Sequence, residues 1–395
     1  MTLLGWVIFI FALLFSIMLH EFGHFITAKK FHMKVTQFFV GFGQTLWSTI
    51  RGETEYGVKA IPAGGFVKIV GMTRLEEVDP ADEPRSFGRQ PGWQRIIVLA
   101  AGSFMHFVLA FVLLFILAAG IGQATDSSAA TVGSIEPCVP KSVTATTCIK
   151  SDPASPAVKS GLRAGDKIIS LAGRPVHTWD QLGAAIRAQP AGTPVTVTVL
   201  RDGHTLTLHP SLATISGRKG SYLGISPAVV YPTVGPISAI RYAGTEFGTI
   251  VTGSVQALGD IPKAIPDLFA KDRSSTAGGN VTSVVGAGEY TGEAFAAPVG
   301  WQAKVTVVLL IVISLNIFVG LFNLVPLLPL DGGHLAVNIY ETIRSWIYRL
   351  LGRPDPGQVD MRKLLPVSVG VFALLVGFGL LLILADVINP VHIPQ

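Results

Sequence analysis

Cysteine is almost absent from this 395-residue sequence: Cys138 and Cys148 are the only two. That count excludes a disulfide scaffold and a cysteine-built zinc site. Charge is scarce too, at 14% of residues against about 25% in soluble domains, which excludes a wholly soluble chain. The net charge of +5 is not gathered into an Arg/Lys face interleaved with aromatics, which excludes nucleic acid as the partner. Basic residues lie instead beside apolar blocks, where membrane lipid and topology account for them. The first apolar block lacks a basic leader and an A-x-A cleavage site, so it is expected to be retained as a span.

What is present in abundance is apolar sequence in long blocks. Four segments, residues 3–28, 96–122, 305–330 and 364–387, are apolar for about 20 residues, the length that crosses the hydrocarbon core. An even number of crossings puts both termini on one side. Lys29, Lys30, Lys34, Arg89 and Arg95 flank one connection, and Arg344, Arg349, Arg353, Arg362 and Lys363 fill the other. The positive-inside bias makes both connections cytoplasmic, leaving the termini and the long middle segment on the outer side. Cys138 and Cys148 then lie where disulfides persist, which favours a bridge over two buried thiols.

The expected fold is a multi-pass α-helical membrane protein of about four transmembrane helices, with a membrane-associated β-hairpin sheet and an extracytoplasmic α+β domain. Its expected division is 1–30, first transmembrane helix; 31–93, cytoplasmic membrane-associated β insert and loop; 94–122, second helix; 131–213, soluble domain; 234–304, outer-surface helix and loop; 305–335, third transmembrane segment; and 364–388, fourth helix. Within the insert, residues 37–43, 55–61 and 65–70 have strand character and are punctuated by Pro62 and Gly64-Gly65. So apolar an insert is expected to dip against the membrane part, its backbone paired or in a protein cavity. In the soluble domain a short helix ends at Gly161-Leu162-Arg163-Ala164-Gly165-Asp166, followed by a strand, a helix and a hairpin about Asp202-Gly203. That order resembles a PDZ domain over about eighty residues.

Chemistry concentrates at His20-Glu21-Phe22-Gly23-His24, an H-E-x-x-H pattern inside an apolar helix. One turn apart, His20 and His24 project from one face and converge on one metal ion, while Glu21 reaches a water beside it. Three ionisable groups within five positions of a spanning helix are costly unless they face a cavity and act. Catalytic zinc takes three protein ligands, so a third must come from another apolar segment. Asp331, the only carboxylate in the run from Asn323 to Gly333, supplies it, because Pro326 and Pro329 open the backbone there. On its own Asp331 reads as a helix cap at the membrane surface. His334 is a rival ligand, but the Gly332-Gly333 break is expected to separate it from Asp331. His106, Asn316 and Asn323 read as interhelical hydrogen-bonders.

Together these features resemble the site-2 protease family of intramembrane zinc metalloproteases, in its bacterial branch with an extracytoplasmic PDZ domain. The resemblance rests on H-E-F-G-H at 20–24, G-F-G at 41–43, E-Y-G-V-K-A-I-P-A-G-G-F-V-K at 55–68, the PDZ-like insert, and N-x-x-P with L-D-G-G at 323–333. It implies that His20, His24 and Asp331 bind one Zn2+ and that Glu21 is the catalytic acid/base. It also implies that the sheet carrying Gly41, Gly43, Gly64 and Gly65 holds substrate, and that Asn323 orients the substrate backbone or the active-site loop. Transmembrane proteins are the implied substrates, such as anti-sigma factors already cut by a site-1 protease, with a peptide or new C-terminus as ligand of the PDZ domain.

Two departures stand out. Gly102-Ser103-Phe104-Met105-His106 replaces the G-P-x-x-N of many relatives, so the roles of that Pro and Asn do not carry over. The second proline of the last motif stands at 329, one residue later than in some relatives, while the spacing from Asn323 to Asp331 is kept. The competing readings are a membrane metal-ion transporter and a catalytically vestigial PDZ scaffold. The first has no use for Glu21 or a strand-forming insert and shows no inverted repeat. The second is opposed by the complete ligand set.

Overall fold

Uninterrupted apolar sequence of membrane thickness becomes continuous helix, since backbone polar groups can then be satisfied within the segment. The computed structural model describes residues 2–73, 77–142, 148–149, 151–270, 273 and 276–390. Among them four helices are long and apolar enough to cross a membrane: Thr2–Lys30, Gly92–Ile121, Trp301–Asn323 and Met361–Ile388. The chain divides into two units, Met1–Ile121 with Val234–Gln395, and Gly122–Thr233.

The first unit opens with helix α1 (Thr2–Lys30), strands β1 (Val35–Arg51) and β2 (Thr54–Ile69), and helix α2 (Gly92–Ile116), which one π-helical turn extends to Ile121. Both strands bend back on themselves. Phe38 lies opposite both Val67 and Tyr56, Phe39 opposite both Phe66 and Gly57, and Val40 opposite both Gly65 and Val58. The stretch 45–51 then pairs with 54–59. Two strands thus make a four-ribbon sheet, with 65–69 and 45–51 at its edges. The folds fall at Gly41 and Gly43, both at φ +85°, and at Gly64, at φ +143°, a backbone region that side chains rarely adopt.

The second unit contains β3 (Thr125–Asp126), β4 (Val132–Ile135), α3 (Pro156–Ser160), β5 (Lys167–Leu171), β6 (Arg174–Pro175), α4 (Trp179–Ala188), β7 (Val197–Arg201), β8 (His204–Leu208), β9 (Ile225–Pro227) and β10 (Val229–Val230). Its main sheet runs β6-β5-β7-β8. Alternation in β7 buries Val197 and Val199, and β5, with a register shift between Ile168 and Ser170, buries Ile168 and Leu171, all in one core with Leu162, Leu182 and Leu212. Local signals set the ends of the elements. The Ser155 hydroxyl caps α3 through the Val158 N–H, and Thr178 with Gln181 forms a capping box on α4. Asp202 and Gly203, both at positive φ, make the β7–β8 turn. A disulfide joins Cys138 to Cys148. The unit reaches beyond 213, because β9 pairs with β4 and β10 with β3. Strands this short, set among Gly220, Gly224, Pro227 and Pro232, carry no local period.

Back in the first unit come α5 (Pro236–Ala264), α6 (Val284–Ala296), α7 (Trp301–Asn323), α8 (Asp331–Leu350) and α9 (Leu365–Ile388). The stretch 234–304, expected as a helix and a loop, contains a second helix, α6, where loop is expected, and both helices pack on the rest of the unit. Ala243 of α5 packs with Ala110, Leu114, Ile313 and Ile317, and α6 lies flush on α1. A Cβ on Gly288 would collide with the Trp6 ring, and one on Gly5 would stand 2.7 Å from the Thr291 carbonyl. Small residues lower the apparent hydropathy of α6 while permitting this approach, so its burial is invisible to a hydropathy reading. The third long apolar helix likewise ends at Asn323 rather than 335, and residues 324–330 form a loop before α8.

The Asp166 carboxylate at the end of the Gly-Leu-Arg-Ala-Gly-Asp turn is 1% exposed and accepts Arg201 Nε and Nη2 at 2.7 Å each, plus the Arg163 N–H at 2.8 Å. Removing the cation strands a buried anion. Arg201→Ala should therefore make the 122–233 unit the first part of the full-length protein cut in limited proteolysis, at least about fivefold faster than wild type; an unchanged cleavage rate would count against the clamp.

Candidate active site

α1 presents His20 and His24 on one buried face, and α8 brings Asp331 to them from its first turn. His20 Nε2 and His24 Nε2 lie 3.1 Å apart, and Asp331 Oδ2 lies 3.1 Å from the first and 3.2 Å from the second. A shared proton satisfies only one edge of this triangle of acceptor atoms. A cation at its centre satisfies all three. Ligand atoms about 2.0–2.1 Å from a tetrahedral metal stand about 3.3 Å from one another, so the triangle fits one face of a zinc tetrahedron to within a few tenths of an ångström.

The second contact of His24 supports that fit. Its Nδ1 is 2.7 Å from the Val98 carbonyl, which can only accept, so Nδ1 carries the proton and Nε2 keeps its lone pair for a metal. Gly102 on α2 supplies the space. A Cβ there would stand 2.5 Å from His20 Cε1 and from His24 Nε2. Gly23 lets the two helices close to this distance, since a Cβ on it would stand 2.5 Å from the Ala101 carbonyl.

Glu21 points toward the sheet. Its Oε2 accepts the Val67 N–H at 3.1 Å, which puts the outer edge of the ribbon 65–69 beside this carboxylate. Gly65 packs closely here, because a Cβ would stand 2.5 Å from Met18 Sδ on α1. Gly41, Gly43 and Gly64 act as the bends of the sheet. Asn323 closes α7, half-buried. His334 does not join the metal cluster, which consists of His20, His24 and Asp331 among the described residues. The expected Gly332-Gly333 break is absent. Both glycines lie inside α8, where Cβ atoms would strike the Val325 carbonyl and the Leu328 nitrogen. They let the loop 324–330 fold onto the helix, and His334 turns toward Met72, Phe87 and Leu99.

One turn from the cluster, His106 Nδ1 is 2.8 Å from Asn316 Oδ1 and 3.2 Å from Ser16 Oγ, and the Ser16 hydroxyl also donates to Asn316. His106 is therefore an interhelical hydrogen-bonder, and its ring packs beside that of His20 at 5.1 Å. Sequence reasoning missed Ser16, Gly102, the Val98 carbonyl and the Val67 N–H. A glycine inside an apolar helix does signal close approach, so Gly102 was findable; the two backbone groups carry no residue signal.

The sheet is pinned at its turn. Glu53 accepts Lys29 Nζ at 2.6 Å and the two Arg85 Nη atoms at 2.7 and 2.8 Å. The Arg85 hydrogen bonds, opposed by partial burial and joined by Lys29, hold the Glu53 carboxyl down at about 2. The stabilisation is complete above its ordinary value of 4.5 and is lost as pH falls from there toward about 2. Glu53→Gln should raise amide exchange across residues 54–58 by about fivefold at pH 7, with the gap narrowing at pH 3; a gap independent of pH would rule out the ionic pin.

Gly102→Ala should weaken retention of a bound divalent metal by at least about tenfold, because overpacking a filled contact is costly. Gly120→Ala is the control, having nothing within 4 Å of its Cβ position. Equal metal content in both variants would show that the approach at Gly102 is not limiting.

Known proteins bear on this site. The profile described as Peptidase family M50 matches residues 8–350. The chain is 34% identical to "Zinc metalloprotease Rip1" of Mycobacterium tuberculosis, with 100% of both chains covered. It is 35% identical to the protein of the same name from Mycolicibacterium smegmatis, covering 99% of each. It is 27% identical to "Regulator of sigma-E protease RseP" of Salmonella typhimurium, over 85% of this chain and 90% of that one. A match over most of the chain and a metal-ready cluster between apolar helices lead to one conclusion: the chain belongs to peptidase family M50, the site-2 proteases, and is a membrane zinc metalloprotease.

Proposed function

We propose that the chain is an endopeptidase that hydrolyses peptide bonds in or beside transmembrane segments of other membrane proteins, with His20, His24 and Asp331 as the zinc ligands and Glu21 as acid/base. The observation that carries this reading is the meeting of three elements at one place: the ligand triangle, the Glu21 carboxylate, and the N–H of an edge ribbon. A transporter needs the first of these alone.

Zinc held by the triangle would supply Lewis acidity, polarising the scissile carbonyl and bringing water to its nucleophilic form near neutral pH. Glu21 takes the water's proton and returns it to the leaving amine. A helical substrate protects its amides, so it must be held extended. The ribbon 65–69 offers its outer edge for strand addition, with the Val67 N–H as one donor. That N–H now rests on Glu21 Oε2 at 3.1 Å. An arriving strand that takes it over frees the carboxylate for the water, which couples substrate alignment to availability of the base.

The unit Gly122–Thr233 supports a PDZ reading. A cavity of about 400 Å³ lies between α4 and β9, lined by Trp179, Leu182, Ile186, Leu223, Ile225 and Ser226, and suits an extended peptide or a C-terminus. The basic connections favour a cytoplasmic side for the sheet and an outer side for this unit and both termini. Since one relative is named "Regulator of sigma-E protease RseP", we assign anti-sigma-type single-pass proteins, trimmed by an earlier cut, as the substrate class. Glu21→Gln should keep zinc and lose at least about a thousandfold in cleavage, while His24→Ala and Asp331→Ala should lose both. Metal analysis beside a transmembrane-substrate assay decides it, and zinc loss in Glu21→Gln with activity retained would reverse the assignment.

A further inference from the structure

Helix α8 starts at the ligand carboxylate and continues past the site with one face uncovered among the described residues. Its inner face is fixed. Glu341 accepts Arg95 Nη1 at 3.1 Å and the Val359 N–H at 2.7 Å, and a Cβ on Gly92 would stand 2.5 Å from Thr342 Oγ1. The helix therefore passes the start of the α2 span at Thr342. Its outer face carries Ile339, Tyr340, Ile343, Trp346, Ile347 and Leu350, each at least 41% exposed. At 3.6 residues per turn these six fall within an arc of roughly 120°, with Arg344 and Arg349 beyond its two edges. The Arg344 guanidinium lies 5.4 Å from the centre of the Tyr340 ring. Arg353, Arg362 and Lys363 follow, all exposed, so residues 344–363 hold five cations against Asp355 and Asp360.

An apolar stripe edged by arginines, with tryptophan and tyrosine on it, matches an interface that is hydrocarbon in the middle and phosphate at the rim. A protein partner covering the stripe would have to bury the flanking guanidiniums. We propose that this face of α8 docks on anionic phospholipid, with Arg344, Arg349 and Arg353 taking headgroup phosphates and the stripe lying in the acyl chains. Because Asp331 is the first residue of the same helix, the lipid steadies the carboxylate that completes the ligand triangle. The inference rests on reading α1, α2, α7 and α9 as spans and goes beyond it, since α8 is not one of the four.

The test uses the full-length, zinc-loaded protein in nanodiscs of phosphatidylcholine alone or with about one-third phosphatidylglycerol. Amide exchange is followed across 331–350, together with the rate at which a chelator strips zinc. The expected result is that phosphatidylglycerol slows exchange over 339–350 by about fivefold or more and slows zinc release by about threefold. Both effects should vanish in the triple variant Arg344→Gln, Arg349→Gln, Arg353→Gln. Equal exchange in the two lipids, an undiminished lipid effect in the triple variant, or the same protection from inorganic phosphate in neutral nanodiscs would each overturn the proposal. Comparing the two lipids on the wild-type protein keeps the test valid if the variant fails to fold. Rapid exchange throughout α1 and α9 in either lipid would instead reject the span assignment, so the two failures are distinguishable.

Discussion

Everything at the site depends on how closely α1 and α2 approach. Two imidazoles must point into the gap between helices, and the facing helix must yield the volume they occupy. Gly23 and Gly102 together meet that demand, one letting the backbones close and the other leaving the hollow in which His20 and His24 turn toward Asp331. The same approach brings the Val98 carbonyl to His24 Nδ1 and so fixes which nitrogen is left for a metal. A looser crossing would lose both the cavity and the tautomer. Helix packing here therefore sets electronic state as well as position.

Asp331, the third corner of the triangle, is placed by a different device. Asp331 stands in the first turn of α8, where the N-terminal end of the helix dipole favours its negative charge. The loop 324–330 reaches that turn only because Gly332 and Gly333 let it lie against the helix. Two glycine placements far apart in sequence thus act alike, since each removes side-chain volume so that a ligand can enter a close-packed apolar interior.

Much of this is legible from residues alone. The four long apolar helices, the H-E-x-x-H face, the meeting of that face with Asp331, the hairpin about Asp202-Gly203 and the bridge between Cys138 and Cys148 all follow from local pattern or the expected redox setting. What escapes is non-local or built from small residues. The short strand β9 closes the second unit by pairing with β4 from about ninety residues away in sequence, and α6 reads as loop because glycine and alanine carry little hydropathy. The Gly332-Gly333 pair departs from expectation for a related reason. Glycine disfavours a helix intrinsically, but contact with the folded-back loop outweighs a propensity worth about 1 kcal/mol per residue.

Polarity in the first unit is graded by position. At the α1–α2 turn end the charges are full and paired, as in Arg95 with Glu341 and Glu53 with Lys29 and Arg85. At the opposite end Arg273 and Asp386 form a pair at 2.7 Å, each side chain 1% exposed, and Asp386 also accepts the Ser283 N–H. Between these ends, past the metal cluster, the polar groups are neutral: Ser16, His106 and Asn316 bind one another. Burying a full charge in apolar surroundings costs more than burying a hydrogen-bonded dipole, so the buried full charges at the two ends each face an ionic partner while the groups between them are neutral. The ligand triangle is the exception to that grading. A carboxylate set against two imidazoles in an apolar bundle needs a cation or a proton between them, which ties occupancy of the site to order in the first turn of α8.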